Sequence, residues 1–233
     1  MHGMQRMILI GLIVYIAWAA STIAAGPALG DDDQPDTFGK TDAEILAMGR
    51  SAWFDYYTAP ERGGDSTAGM TQAYGLYADA AGRRNDALPQ QHHAAELRKL
   101  LDDFGEQSID LASNFTGGGT MWIPEYAAAD CDVEDALYAL LGGGAAPAPA
   151  TTTGQVQRDF AKLEHAIRDE QANRDAAPYF KYGEARASLA ALRADFKRIA
   201  ALAATLDRAG SDQVLAFCHT WATTGLELGE EGD

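Results

Sequence analysis

The sequence predicts an all-α protein, a helical bundle of about five to seven helices behind an N-terminal signal peptide and interrupted by a long Gly/Ala/Pro linker. Three observations carry this expectation. Apolar residues recur at alternating three- and four-residue spacing through most of the chain, no stretch alternates with the period of two that a half-buried strand needs, and no internal repeat is present. The longest stripe lies in 178–208, where Tyr182, Ala185, Leu189, Leu192, Phe196, Ile199, Ala203 and Leu206 share one helical face. At ~1.5 Å per residue such a helix spans roughly 40 Å, and its apolar face needs cover, so the sequence presents it as the central helix of the bundle.

The leader comes first. Arg6 and the free amino terminus give a small positive charge, 7–20 is an apolar run, and small residues follow at Ala17, Ala19, Ala24 and Ala25. This pattern marks 1–25 as a secretory signal peptide. The alternative is an uncleaved anchor, because 7–29 is long enough to cross a bilayer. Cleavage places the mature chain in the periplasm or outside the cell, with no stable membrane insertion. An acidic tract at 31–36 lies within a flexible arm, 26–40, and a single helical domain is expected over 41–229.

Thr41-Asp42-Ala43-Glu44 is a capping-box pattern, and the helix it starts would bury Ile45, Met48, Ala52, Trp53 and Tyr56 before Pro60 stops it. A loop at 61–69 follows, with Ser66 as a capping residue, and then a stripe of Met70, Ala73, Tyr74, Tyr77 and Ala81. Gly75 within it either admits another backbone or merely weakens the helix. Pro89 suits the first position of a third helix, with His93, Leu97, Leu100, Leu101 and Phe104 on its buried face.

Gly117, Gly118 and Gly119 read as a hinge into an extended apolar segment, 120–124, whose Trp122 plugs the end of a bundle or forms a binding lip. A short helix is expected over 133–141, with Asp130, Asp132, Glu134 and Asp135 suiting its amino end. The linker is 142–154. Beyond it, 155–172 carries Val156, Phe160, Leu163 and Ile167, and 211–228 carries Val214, Phe217, Cys218, Trp221 and Leu228. Helices of the first half can cover these stripes, so one domain with a long crossover is the favoured arrangement.

Charge narrows the function. A formal charge of -16 excludes a nucleic-acid binder, which needs Lys and Arg to displace phosphate counterions, and disfavours an anionic membrane surface. It suits a soluble monomer with a solvated acidic surface, or one whose partner is a basic protein. Nucleotide sites are excluded by motif: the triple glycines lack a following Gly-Lys-Ser/Thr, and no strand leads into a Gly-x-Gly-x-x-Gly turn. Ser66 matches a nucleophile elbow only loosely, since its second Gly falls one residue late.

No metal site is expected. His92, His93 and Glu96 form one polar cluster, Glu164, His165 and Asp169 a second, and each is accounted for by surface pairing. Asp130, Asp132 and Glu134 imitate the opening of a calcium loop, but Asp135 stands where Gly is required and Leu141 where the closing Glu belongs. Cys218-His219 has the ending of a haem-attachment motif without its first cysteine, and non-covalent ligation by Met48 and His219 is the remaining haem geometry. No cofactor and no catalytic residue is assigned.

Export places Cys131 and Cys218 in an oxidising compartment with no competing third cysteine, which predicts a disulfide worth roughly 4 kcal/mol. The functional expectation is an exported, non-catalytic helical protein that binds a macromolecular partner, a basic enzyme or toxin, or serves a structural role. The candidate contact surface is Met121, Trp122, Tyr126, Asp130, Asp132 and Asp135, aromatic anchors beside steering charges. The alternative is a periplasmic hydrolase, or a small-ligand or haem-binding protein, built on Trp122, Tyr126 and a histidine cluster.

Overall fold

Gly49 breaks the first expected helix in two, and that break changes which aromatics go inside. The computed structural model describes residues 37–62, 64, 66–88, 93–116, 122–141, 148–172 and 179–230, with side chains as far as 224. Contacts divide the chain at residue 36, and the residues from Thr37 on form one unit. All regular structure among the described residues is helical: α1 (Asp42–Met48), α2 (Arg50–Thr58), a 3-10 turn (Pro60–Arg62), α3 (Thr67–Asp86), α4 (Ala94–Phe115), α5 (Ile123–Leu140), α6 (Thr153–Ala172), α7 (Tyr182–Ala203) and α8 (Arg208–Glu230). The leader 1–25, the arm up to residue 36, Pro89, Met121 and the linker's 142–147 lie outside the described residues.

Both capping-box bonds at Thr41 and Glu44 are made, and α1 runs only to Met48 because Gly49 takes φ 79°. That left-handed residue shifts the helical phase, so Trp53 and Tyr57 are buried, Tyr56 lies half out and Ala52 is exposed. Among the described residues the count of α-helices therefore exceeds the expected five to seven by this one division. Ser66 caps α3 by accepting from the Gly69 N–H at 3.1 Å.

α4, α7, α6 and α8 form a closed ring of packed helices, in that order around the ring. One aromatic column threads all four: Phe217 to Phe104 (6.4 Å between centroids), Phe104 to Phe160 (6.3 Å) and Phe160 to Phe196 (5.5 Å). α5 packs outside the ring on α4 and α8 and carries α3 on its other side, and α1 and α2 rest on α3.

The stripe of α7 is buried as its spacing predicts, at Ala185, Leu189, Leu192, Phe196, Ile199 and Ala203. It packs on α4, α6 and α8, and it shares the middle of the bundle with two neighbours: α4, which buries Leu97, Leu100, Leu101, Phe104, Gly105, Ser108, Ile109, Leu111 and Ala112 against α5, α7 and α8, and α8, which meets α4, α5, α6 and α7. α7 also stops short of 208. Backbone bonds from Thr205 to Leu202 and from Leu206 to Ala203 turn the chain, and Asp207 then caps α8 by accepting from the Gly210 N–H at 2.8 Å.

Two further segments differ from their sequence reading. The described part of the apolar stretch, 122–124, is not extended: α5 begins at Ile123, with Pro124 and Glu125 in its first turn, where a missing N–H and a negative charge are both favourable. The linker ends before Thr153, because Thr152 and Gln155 form a second capping pair across the start of α6.

The chain builds two cores. The larger lies inside α4–α8, and the smaller holds Ile45, Trp53, Tyr57, Ala73, Leu76, Tyr77, Ala80 and Ala81 with Cys131 of α5. This division overturns the expected disulfide. Cys131 turns toward α3, where its thiol donates to the Tyr74 carbonyl at 3.2 Å, while Cys218 is buried in the other core, so both remain free thiols. Burial raises both thiols far above their ordinary value. No helix among the described residues is long and apolar enough to cross a membrane.

Candidate contact face

Helical spacing puts Asp102 and Glu106 one turn apart on α4, and Asp130 and Glu134 one turn apart on α5. Because α5 lies between α3 and α4, these four carboxylates meet on one side of the molecule, joined by Asp79 of α3. Glu134 is the anchored member. It accepts from Asn85 Nδ2 at 2.8 Å and Arg98 Nη2 at 3.0 Å, with 13% of its side chain exposed. Arg98 reaches on to Asp86 at 3.2 Å.

The other members crowd one another. Asp102 is driven up to about 7, first by loss of hydration and then by Asp130, Glu134 and Glu106, with Arg98 pulling the other way. Asp130 rises to about 6 by desolvation followed by Glu106, Glu134 and Asp79. Asp130 is exposed over much of its surface, so its crowding is felt beside open solvent. Such a group of like charges is held together by the packing of α3, α4 and α5 beneath it, against its own repulsion.

The residues singled out from sequence are dispersed by the fold. Trp122 is 8% exposed and closes the end of the main core, donating its indole N–H to Thr116 Oγ1 at 3.0 Å. Tyr126 is half-buried and donates to Asp110 Oδ1 at 2.6 Å; burial and that bond hold its phenol well above the ordinary value. Asp132 pairs with Arg50 of α2, and Asp135 lies 3.6 Å from Arg84 of α3, whose guanidinium stacks 3.5 Å from the centroid of the Tyr138 ring. Burial raises both carboxyls, opposed by Arg50. Asp132 and Asp135 thus fasten the small core to α5, and Asp130 is the exposed one of the described five. Met121 lies outside the described residues.

Histidine chemistry stays scattered. His93 is 3.9 Å from Glu96 at the start of α4, and His165 is 2.6 Å from Asp169 on the outer side of α6. His219 Nδ1 lies 2.6 Å from the buried Asp159, a pairing of α8 with α6 that the sequence spacing does not reveal. Met48 packs on the small core, so it and His219 belong to different cores and do not flank one haem. Among the described residues, no three His, Cys, Asp or Glu side chains converge as metal ligands do.

No protein-family model, curated protein or solved structure matches the chain.

Asp79, Asp102 and Glu106 are the residues of this face that sequence reasoning missed. The four-residue spacing on α4 was visible, but its meeting with the same spacing on α5 depends on how two helices pack.

Proposed function

We propose that this chain is an exported, non-catalytic binding protein whose partner is basic, and that the face made by Asp79, Asp102, Glu106 and Asp130 receives it. The observation that carries the reading is the clustering of like charge across three helices, with the half-buried Asp102 already losing hydration. An arriving lysine or arginine adds positive charge to that of Arg98 and recovers part of that cost. α5 contributes Glu125, Asp130, Asp132, Glu134 and Asp135 without a single Lys or Arg, and the overall charge of -16 steers a cationic protein toward the molecule from a distance.

Titration with a hexa-arginine peptide tests this. Binding is expected at low salt, weakening sharply near ~0.5 M as the Debye length shrinks. Binding also expels protons from Asp102 and Asp130, so heats measured near pH 6.5 in buffers of different ionisation enthalpy should differ. Asp102→Asn with Asp130→Asn is expected to weaken binding about tenfold, the loss of roughly 1.4 kcal/mol. Equal affinity in that double variant and in an Asp169→Asn control on α6 defeats the assignment of the face. Export rests on the leader, and a mature chain starting between Ala20 and Gly26 in the exported fraction is the outcome expected by mass spectrometry.

A further inference from the structure

α7 departs from the chain's acidity: it carries Arg186, Arg193, Lys197 and Arg198 against Glu184 and Asp195. Where α7 packs on α6, Arg168, Arg186 and Arg193 line a cavity of about 270 Å³, with Ile167, Leu189 and Ala190 also in its wall and the Tyr182 ring at one side. Arg193 lines the next cavity along the same seam as well, together with Lys197. We propose that the α6–α7 cavity is a binding site for a phosphate group, carried by a small phosphate ester.

The site contains its own demonstration of how an oxyanion is held. Glu164 places one carboxylate oxygen 2.6 Å from Arg168 Nη2 and the other 2.8 Å from Arg193 Nη2, bridging guanidiniums from two helices. Those two arginines hold the Glu164 carboxyl below its ordinary value, so it stays charged. Arg193 is steadied further by donating to the Phe160 carbonyl at 3.3 Å. Arg186 is different. It has no carboxylate partner among the described residues, and its guanidinium sits 5.7 Å from the centroid of the Tyr182 ring.

Three guanidiniums against one carboxylate leave the cavity with a surplus of two positive charges, which matches a phosphate dianion. A phosphate offers three terminal oxygens, enough for Arg186 and for shares of Arg168 and Arg193, and planar guanidinium forks suit it better than ammonium groups do. The apolar wall at Leu189 and Ile167 leaves a surface for the organic part of an ester beside Tyr182. This site is built on α6 and α7 rather than on the helices that carry the acidic face, and stands independently of the basic-partner reading.

Calorimetry with phenyl phosphate and with inorganic phosphate at pH 7.5 tests it, alongside flotation of the protein with vesicles of phosphatidylcholine containing phosphatidic acid. Phenyl phosphate is expected to bind more tightly than inorganic phosphate. Arg186→Gln is expected to weaken it at least tenfold with an unchanged circular-dichroism melt, since Arg186 is exposed. Glu164→Gln removes the competing carboxylate and should tighten binding severalfold, whereas Arg208→Gln, at the start of α8, should leave it unchanged. Binding to the acidic vesicles alone, lost in Arg186→Gln, keeps the phosphate site and assigns its source to a lipid headgroup. No binding to any of the three, or equal weakening by Arg186→Gln and Arg208→Gln, overturns the proposal.

Discussion

Asp102 makes the acidic face measurable through stability. Its carboxyl titrates near 3.8 in the unfolded chain and about 7 in the folded one, so between those values the native state holds the extra proton. Stability from this group therefore falls as pH rises from about 4 to about 7, the reverse of a carboxylate held by a salt bridge. At about 1.36 kcal/mol per pKa unit the ceiling is roughly 4 kcal/mol, and solvent screening at a partly exposed carboxyl reduces it to about 1–2 kcal/mol. Asp102→Asn keeps the shape and removes the charge. The variant should come level with the wild type near pH 3, exceed it by about a third of the full effect at pH 5, and exceed it at pH 8 by that 1–2 kcal/mol, a rise in Tm of about 2–8 °C for a chain of this size. Thermal melts of both proteins at half-unit pH steps give the difference directly, and groups common to both cancel. A difference that stays flat across the range, or one that favours the wild type at pH 8, refutes the claim that Asp102 is crowded by Asp130, Glu134 and Glu106.

Two glycines of α3 should respond to alanine in opposite directions. A Cβ at Gly75 meets nothing within 4 Å, so Gly75→Ala should stabilise by about 0.5–1 kcal/mol, whereas at Gly69 it would lie 2.3 Å from the Gly64 carbonyl oxygen, and Gly69→Ala should cost about 1–3 kcal/mol in urea unfolding. Leu192 is fully buried in the middle of the α7 stripe, and Leu192→Ala should cost about 2–5 kcal/mol by the same measurement. Thiol labelling of the unreduced, unfolded chain should count two free sulfhydryls, and a count of zero restores the disulfide.

Helix type and buried face were legible wherever the apolar stripe was long and uninterrupted, as at Leu189, Leu192, Phe196 and Ile199. Local backbone exceptions were less so. Gly49 looks in sequence like an ordinary helical interruption, yet its positive φ exchanges Tyr56 for Tyr57 in the small core. Gly75 was the glycine that spacing singled out, but the close backbone approaches are those of Gly64 to the end of α2 at Tyr57 and of Gly69 to Gly64, which only the path of the connecting loop reveals. Pro124 and Glu125 did carry the signal for the start of α5, hidden by the apolar, glycine-led run before them. The disulfide expectation failed because compartment and cysteine count say nothing about which side of α5 a thiol faces. The acidic cluster and the Asp159–His219 pair were beyond reach for a related reason, since each joins residues on helices whose neighbours a single sequence does not specify.

The placement of the two thiols in separate cores turns them into separate clocks. α1, α2 and α3 reach the rest of the described structure chiefly through α5, by way of the Arg50–Asp132 pair and the Asn85–Glu134 bonds. A fluctuation that lifts these three helices away exposes Cys131 while the aromatic column through Phe104 and Phe160 keeps Cys218 sealed. The expected outcome is graded unfolding, in which Cys131 is labelled in mild denaturant before Cys218, and equal labelling rates would mean that both cores open together. A reagent that modifies Cys131 reads the first opening, and one that reaches Cys218 reads global unfolding, so a single polypeptide reports two barriers without an added label.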